Sequence, residues 1–385
     1  MKDSTAPNIK VLSALLVLHF CGDFYSAFVG PLLPALAEKL SLNLTEVGFV
    51  RSISLLLAFI IQPLVGYLAD RFQNRFFILG GPLLAALFIP LIGVAPSYTM
   101  LLFFVGVGAT GVAMFHPQAA GMVSTYAGKH VGLAMALFWI GGAASFGAGP
   151  LAATSFVAGF GLGKLPYTAI FGIVCLLPLF FLIPSPQGEG LKKFGFFGSI
   201  KEILGDVWRP ILLIYSLIVL RSLVNQGFMT FMPMLLDREG YSLVSIGWVV
   251  SLFTVMGSLS GVLAGHLSDR IGYRPVFYVS YALSTPCLLL FLYLEGPWIY
   301  WGAPLAGLML MATYPLGVAL AQEIAPKGKS LVSSMMMGLA FGMGGFLAPA
   351  VGKLCDMFGI REVLFVMAFV PLASTILIRR LPEPH

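Results

Sequence analysis

The sequence predicts an all-α membrane protein of twelve spanning helices, set out as two six-helix bundles in tandem. Three observations predict it. Hydrophobic residues are 58% of the 385 and charged residues only 10%, with a mean hydropathy of +0.94. A soluble chain carries about a quarter charged residues. The apolar residues fall into runs of about 20, enough to cross a bilayer as a helix, and each half holds six such runs. The chain also repeats itself. Gly66-Tyr-Leu-Ala-Asp70-Arg71-Phe-Gln-Asn-Arg75 returns as Gly265-His-Leu-Ser-Asp269-Arg270-Ile-Gly-Tyr-Arg274, every position displaced by 199. Pro34 and Pro233, Gly48 and Gly247, and Pro150 and Pro349 keep the same offset, which marks an internal duplication.

The spans are expected near 11–37, 46–69, 76–95, 98–126, 131–157, 166–183, 209–236, 245–267, 275–295, 298–324, 330–352 and 361–379. The first follows Lys2 and Lys10, as a secretion signal would. Gly22 and Asp23 interrupt its apolar run, which continues to Leu36 without a clear small-residue cleavage site, so it reads as a retained span. Spans two and eight each end in one copy of the repeated motif. Residues 1–183 and 209–385 are then the two bundles, and the polar stretch 184–208 is their linker, with Ile200–Trp208 as a short interfacial helix. Nothing outside the spans is long enough to bury a core of its own. Fifteen Lys and Arg fall in loops on the side of the N-terminus. Five (Lys39, Lys164, Arg238, Lys353 and Arg361) fall on the other side, and Arg51 and Arg221 lie within spans. The positive-inside rule therefore places both termini in the cytoplasm. The net charge of +6 reports this topology and does not imply nucleic acid. Cys21, Cys175, Cys287 and Cys355 have no metal-ligand spacing and read as small apolar helix residues.

Six plus six spans, a cytoplasmic linker, and Gly-x-x-x-Asp-Arg-x-x-x-Arg between spans two and three resemble the major facilitator superfamily, whose halves are parallel repeats related by pseudo-two-fold symmetry. A narrower likeness lies in His19-Phe-Cys-Gly-Asp23-Phe-Tyr, Phe115-His116-Pro117-Gln118-Ala-Ala and Ala321-Gln322-Glu323-Ile-Ala-Pro326. This combination is similar to the fosmidomycin-resistance group of exporters. It departs from ordinary drug antiporters, because Leu102 to Gly108 lacks their span-four arginine and Gly147-Ala-Gly149-Pro150 is only part of their span-five signature. The resemblance implies a cytoplasmic latch at Gly66, Asp70, Arg71 and Arg75, steadying the outward-open state, with Asp70 facing the start of span eleven near Ser330. Gly265, Asp269, Arg270 and Arg274 are the second copy. A carboxylate there can face the positive end of a neighbouring helix.

Several polar residues stand inside the spans. Asp23 is about 12 residues into span one, roughly 18 Å deep at 1.5 Å per residue. An ionised carboxylate at that depth costs at least about 2.5 kcal/mol. It must face a wet cavity or a partner, or hold a proton. His19, one turn earlier on the same face, makes the pair a candidate proton site, against a structural hydrogen bond as the alternative. Arg221 lies at similar depth in span seven with Asn225 one turn on. It is either the counter-ion of Asp23 or a fork for an anionic substrate group. His116 and Gln118 in span four are further candidates for substrate contact. The helices are expected to bend at His116-Pro117 and Tyr314-Pro315. Arg51, five residues into span two, is expected to snorkel to the surface. Gln322 and Glu323 are candidate gate residues at the inner mouth of span ten. The glycines at 141, 142, 147 and 149, and at 338, 342, 344 and 345, read as close helix contacts.

No phosphate-cradling loop, nucleotide domain, metal cluster or nucleophile elbow is legible, so neither an enzyme nor a cofactor is expected. An ion gradient or the substrate's own gradient must supply the energy. The expectation is a secondary transporter with alternating access in a bacterial inner membrane. It would be a monomer, coupled to protons through Asp23 and exporting a small organic compound, anionic or amphipathic, by antiport. The alternative is uptake of an organic anion by proton symport. A receptor or scaffold without transport is a distant third.

Overall fold

The computed structural model describes residues 6–71, 75–128, 130–185, 205–325, 336, 338 and 340–382. Among them the chain is all-helical and contains no strand. Eleven stretches of the described residues are long and apolar enough to cross a membrane. The expected span 330–352 lies partly outside the described residues, as do Ser330 and the greater part of the expected helix 200–208.

The first span consists of α1 (Ile9–Ser26) and α2 (Val29–Leu40), followed by α3 (Leu44–Arg71). Next come α4 (Phe76–Phe88), which continues as a 3-10 turn over Pro90–Val94, then α5 (Tyr98–Tyr126), α6 (Val131–Phe160) and α7 (Ala169–Leu182). The second half holds α8 (Trp208–Arg238), α9 (Leu243–Ile271) and α10 (Tyr273–Tyr293). It continues with α11 (Ile299–Met311), α12 (Tyr314–Ile324), α13 (Ala340–Phe346), α14 (Ala348–Phe358), α15 (Ile360–Met367) and α16 (Val370–Ile378).

Proline explains three interruptions. A proline leaves the carbonyl four residues earlier without its helical donor. α11 ends at Met311, four before Pro315, and α15 ends at Met367, four before Pro371. α1 ends at Ser26, next to Ala27, the residue four before Pro31. At the last break in the chain, Thr285 of α10 donates its hydroxyl to the Ala368 carbonyl at 2.6 Å. The two expected bends differ. Span ten is interrupted before Pro315, whereas α5 runs as one helix through Pro117.

The chain divides into two compact units. Unit 1 comprises residues 1–42, 53–191 and 242–247, and unit 2 comprises 43–52, 192–241 and 248–385. The first turns of α3 therefore group with unit 2 and those of α9 with unit 1. Both helices start with a side-chain cap at matching positions. Asn43 and Glu46 exchange bonds in a capping box at 2.9 and 3.0 Å, and Ser245 N–H donates to Ser242 Oγ at 3.2 Å.

Glycine sets the helix contacts inside each unit. In unit 1, a Cβ on Gly141 would stand 2.7 Å from the Leu16 carbonyl oxygen, and one on Gly149 equally close to that of Phe24. These contacts seat α6 directly on the backbone of α1. Tyr25 ties α1 to α7, donating to the Thr168 carbonyl at 2.7 Å and accepting from Gly172 N–H at 2.8 Å. In unit 2, Gly344 of α13 lies against Ser222 of α8. Ile214, Leu217, Ile218, Phe277, Tyr281 and Leu320 form part of one core cluster there. Large apolar side chains such as Phe181, Val262 and Trp301 are more than 70% exposed, as suits helices whose outer faces meet lipid tails.

Candidate functional site

In unit 1, His19 and Asp23 stand one turn apart on α1 and are 1% and 4% exposed. His116 of α5, half-buried, completes a cluster. Asp23 Oδ2 lies 3.2 Å from His19 Nε2, and Asp23 Oδ1 lies 3.5 Å from His116 Nε2. Each imidazole is oriented by a backbone carbonyl. His19 Nδ1 is 2.8 Å from the Phe138 oxygen on α6, and His116 Nδ1 is 2.8 Å from the Val112 oxygen one turn earlier. A carbonyl only accepts, so both Nδ1 atoms carry hydrogen. Both Nε2 atoms then present lone pairs to the carboxylate unless a further proton or cation is supplied. His19 stacks on Phe138 with ring centres 4.1 Å apart and meets His116 edge-on at 5.1 Å. Gly142 of α6 borders the same space. A Cβ there would fall 2.7 Å from His19 Nε2 and 3.2 Å from Asp23 Oδ2.

In unit 2, Arg221 of α8 is 2% exposed. Its Nη1 donates to Thr313 Oγ1 at 3.0 Å, and its guanidinium centre lies 4.1 Å over the ring of Tyr314. Its Nη2, and Oδ1 of the buried Asn225, have no hydrogen-bond partner among the described residues. Arg51 does not simply snorkel. Its Nε and Nη2 donate to Oε1 of the buried Gln226 at 3.2 and 3.0 Å. The two units thus carry opposite charges at nearly equivalent places, since Arg221 matches Gly22 in the repeat. In each, the first span's charge is met from the fourth, by His116 in unit 1 and by Thr313 and Tyr314 in unit 2.

A sequence profile described as Major Facilitator Superfamily matches residues 15–349 and 240–385. The chain belongs to the Major Facilitator Superfamily. Among curated relatives, the MFS-type transporter YfnC of Bacillus subtilis is 28% identical over 96% of this chain and 94% of its own length. The fosmidomycin resistance protein of Escherichia coli is 24% identical over 96% and 92%. The multidrug resistance protein MdtG of Salmonella typhimurium is 27% identical over 71% and 70%. Two solved structures share the fold. A bacterial homologue of the lysosomal transporter Spinster, inward-facing and occupied, gives a TM-score of 0.80 at 15% identity, covering 96% of each chain. The nucleoside transporter NupG gives 0.77 at 15%, covering 96% of this chain and 98% of its own. The family is one of multi-pass membrane transporters, and the expected all-helical facilitator fold is found.

The other candidate residues of this family member fall as follows. The surroundings of Gly66 and the side chains of Asp70 and Arg71 lie outside what is described. Arg75 donates to the Phe180 carbonyl at 3.3 Å. Gly265 is half-buried and Asp269 and Arg270 are exposed at the end of α9, while Arg274 Nε donates to the Leu381 carbonyl at 2.7 Å. Glu323 accepts from the Tyr273 hydroxyl at 2.6 Å, and Gln322 beside it is half-buried. Gln118 is buried, but two residues beyond His116 turn it about 200° round α5, away from the cluster. Sequence reasoning read Gly142 only as a close helix contact and missed Thr313, Gln226 and the two orienting carbonyls. A surface hollow of about 480 Å³ between α3 and α5, lined by Ile53, Leu57, Leu102 and Phe103 among others, holds none of the ionisable groups.

Proposed function

We propose that this transporter is a proton-coupled secondary antiporter that exports a small organic compound carrying an anionic or amphipathic group. The observation that carries the reading is the Asp23 carboxylate held between two Nε2 atoms whose rings already donate from Nδ1. Lone pairs facing lone pairs at about 3 Å in a buried place repel, so the cluster favours at least one added proton. A group that must gain and lose a proton during the cycle is what coupling needs. Arg221, with a free Nη2, supplies a buried cation for an acidic substrate group. The names of the relatives, fosmidomycin resistance and multidrug resistance, favour export. A proton moving inward through 100 mV gains about 2.3 kcal/mol, enough for more than a tenfold gradient of solute.

The test uses inside-out vesicles from cells expressing wild type or Asp23→Asn, with a respiration-driven pH gradient. Phosphonates, organic acids and amphipathic drugs are added in turn. A substrate is expected to release protons from wild-type vesicles only. Release from the variant too would remove Asp23 from the proton path. Arg51 and Arg221 also suit a second reading, uptake of an organic anion by symport. Proton uptake with substrate into right-side-out vesicles, and no release from inside-out ones, would establish that reading instead.

A further inference from the structure

We propose that His19, Asp23 and His116 also form a binding site for a borderline divalent transition-metal ion of the Zn²⁺ class. The residues are those assigned to protons above, and the inference concerns a second cation that the same donors accept. The three donor atoms, two imidazole nitrogens and one carboxylate oxygen, lie within 4.8 Å of one another. Ligands bound to zinc at about 2.0–2.2 Å in a tetrahedron stand about 3.4 Å apart. Each imidazole nitrogen already stands near that spacing from one oxygen of the carboxylate, His19 Nε2 at 3.2 Å from Oδ2 and His116 Nε2 at 3.5 Å from Oδ1.

Three further features point to a cation. Metal-bound histidines nearly always direct the other ring N–H to a carbonyl or carboxylate, which turns the free nitrogen toward the ion. Both histidines here do so, onto Phe138 and Val112. His19 Nε2, in a side chain 1% exposed, has no hydrogen-bond partner among the described residues and is aimed at the carboxylate. Finally, the space beside His19 Nε2 and Asp23 Oδ2 exists because residue 142 is glycine. Mixed imidazole and carboxylate donors suit zinc, cobalt or nickel and disfavour magnesium or calcium, which prefer oxygen alone. One carboxylate leaves a bound divalent ion with net positive charge. With three protein ligands a coordination position is left open, and it would take an anionic ligand. In this respect a chelating substrate and the ion would meet at one place.

The test titrates Co²⁺ into the full-length, chelator-stripped protein in detergent. Visible d–d absorption reports the geometry and Zn²⁺ competition the affinity. One Co²⁺ per chain with a tetrahedral spectrum, displaced by Zn²⁺, is expected. Binding should weaken at least about tenfold in Asp23→Asn and His116→Gln, and also in Gly142→Ala, which keeps all three ligands but fills the space beside them. His116→Gln changes a half-exposed side chain, so it tests the site even if Gly142→Ala folds poorly. No spectral change in wild type, or unchanged affinity in His116→Gln, overturns the inference. The vesicle assay repeated in excess chelator separates this result from the proton reading. Proton release that persists there with no Co²⁺ spectrum defeats the metal site alone. A Co²⁺ spectrum with proton movement unaltered by Asp23→Asn supports the metal site while the proton reading fails.

Discussion

Arg221 is held by two contacts that depend on its shape. One is the bond from Nη1 to Thr313, the other the stacking of the guanidinium plane on Tyr314. Lysine keeps the charge but has no plane to stack and no second fork to offer. Arg221→Lys is therefore expected to raise the KM for an acidic substrate about tenfold, the scale of one charge-assisted hydrogen bond. A neutral substrate should be affected far less. Transport kinetics with a matched acid and its amide would check this, and an equal loss for both would make the residue structural. At this scale the sequence was only partly legible. Asp23, His19 and Arg221 stand out because ionisable residues inside apolar runs need a reason. His116 is more than ninety residues from Asp23 in the chain, so no ligand spacing joins them. The carbonyls of Phe138 and Val112, which fix the ring tautomers, belong to the backbone and have no sequence signal at all.

Among the helices, α3 begins with an unusual cap. Besides its own Asn43–Glu46 box, the Asp356 carboxylate at the end of α14 accepts from the amides of Leu44 and Thr45 at 2.9 and 3.0 Å and from the Thr45 hydroxyl at 2.6 Å. A negative group at a helix N-terminus satisfies free amides and opposes the dipole. Asp356 lies beyond the apolar part of its span. Burial pushes its carboxyl up, but the Thr45 hydroxyl, the two amides and Lys353 outweigh that and hold it below the ordinary carboxylate value. A depressed folded pKa means the stabilisation is complete above the unfolded value, about 3.9, and is lost as pH falls through the lower folded one. Because Asp356 is exposed, the expected loss in Asp356→Ala is about 1 kcal/mol or less. Hydrogen exchange at Leu44 and Thr45 should quicken severalfold in the variant near neutral pH, with other helix starts unchanged. Unaltered protection there would show the cap to be without effect. α3 and α9 start with caps at duplicated positions, yet Val157 stands 199 residues before Asp356, so among the described residues α9 has no carboxylate at the matching place. Proline was an incomplete guide as well. Pro315 interrupts span ten and Pro117 leaves α5 whole, because neighbouring contacts decide whether a helix yields at the carbonyl left without a donor.

For the molecule as a whole, the composition and the 199-residue repeat made the architecture the most legible level, since spanning helices obey a single length and hydropathy rule. The orientation proposed for the chain rests on charge. Lys and Arg in the loops divide fifteen to five in favour of the side holding the N-terminus, and loops rich in cations stay in the cytoplasm. In that proposed orientation the repeated Asp-Arg motifs are cytoplasmic and Asp356 and Lys353 lie outside. Orientation also decides from which side a proton must reach Asp23, so it bears directly on antiport against symport. A fluorescent protein fused after His385 is expected to fluoresce and an alkaline phosphatase fused there to be inactive. The same reporters fused after Leu40, in the loop that carries Lys39, should reverse. Phosphatase activity at the C-terminus would invert the topology. The inward proton flow proposed here would then have to enter from the face now assigned to the Asp-Arg loops.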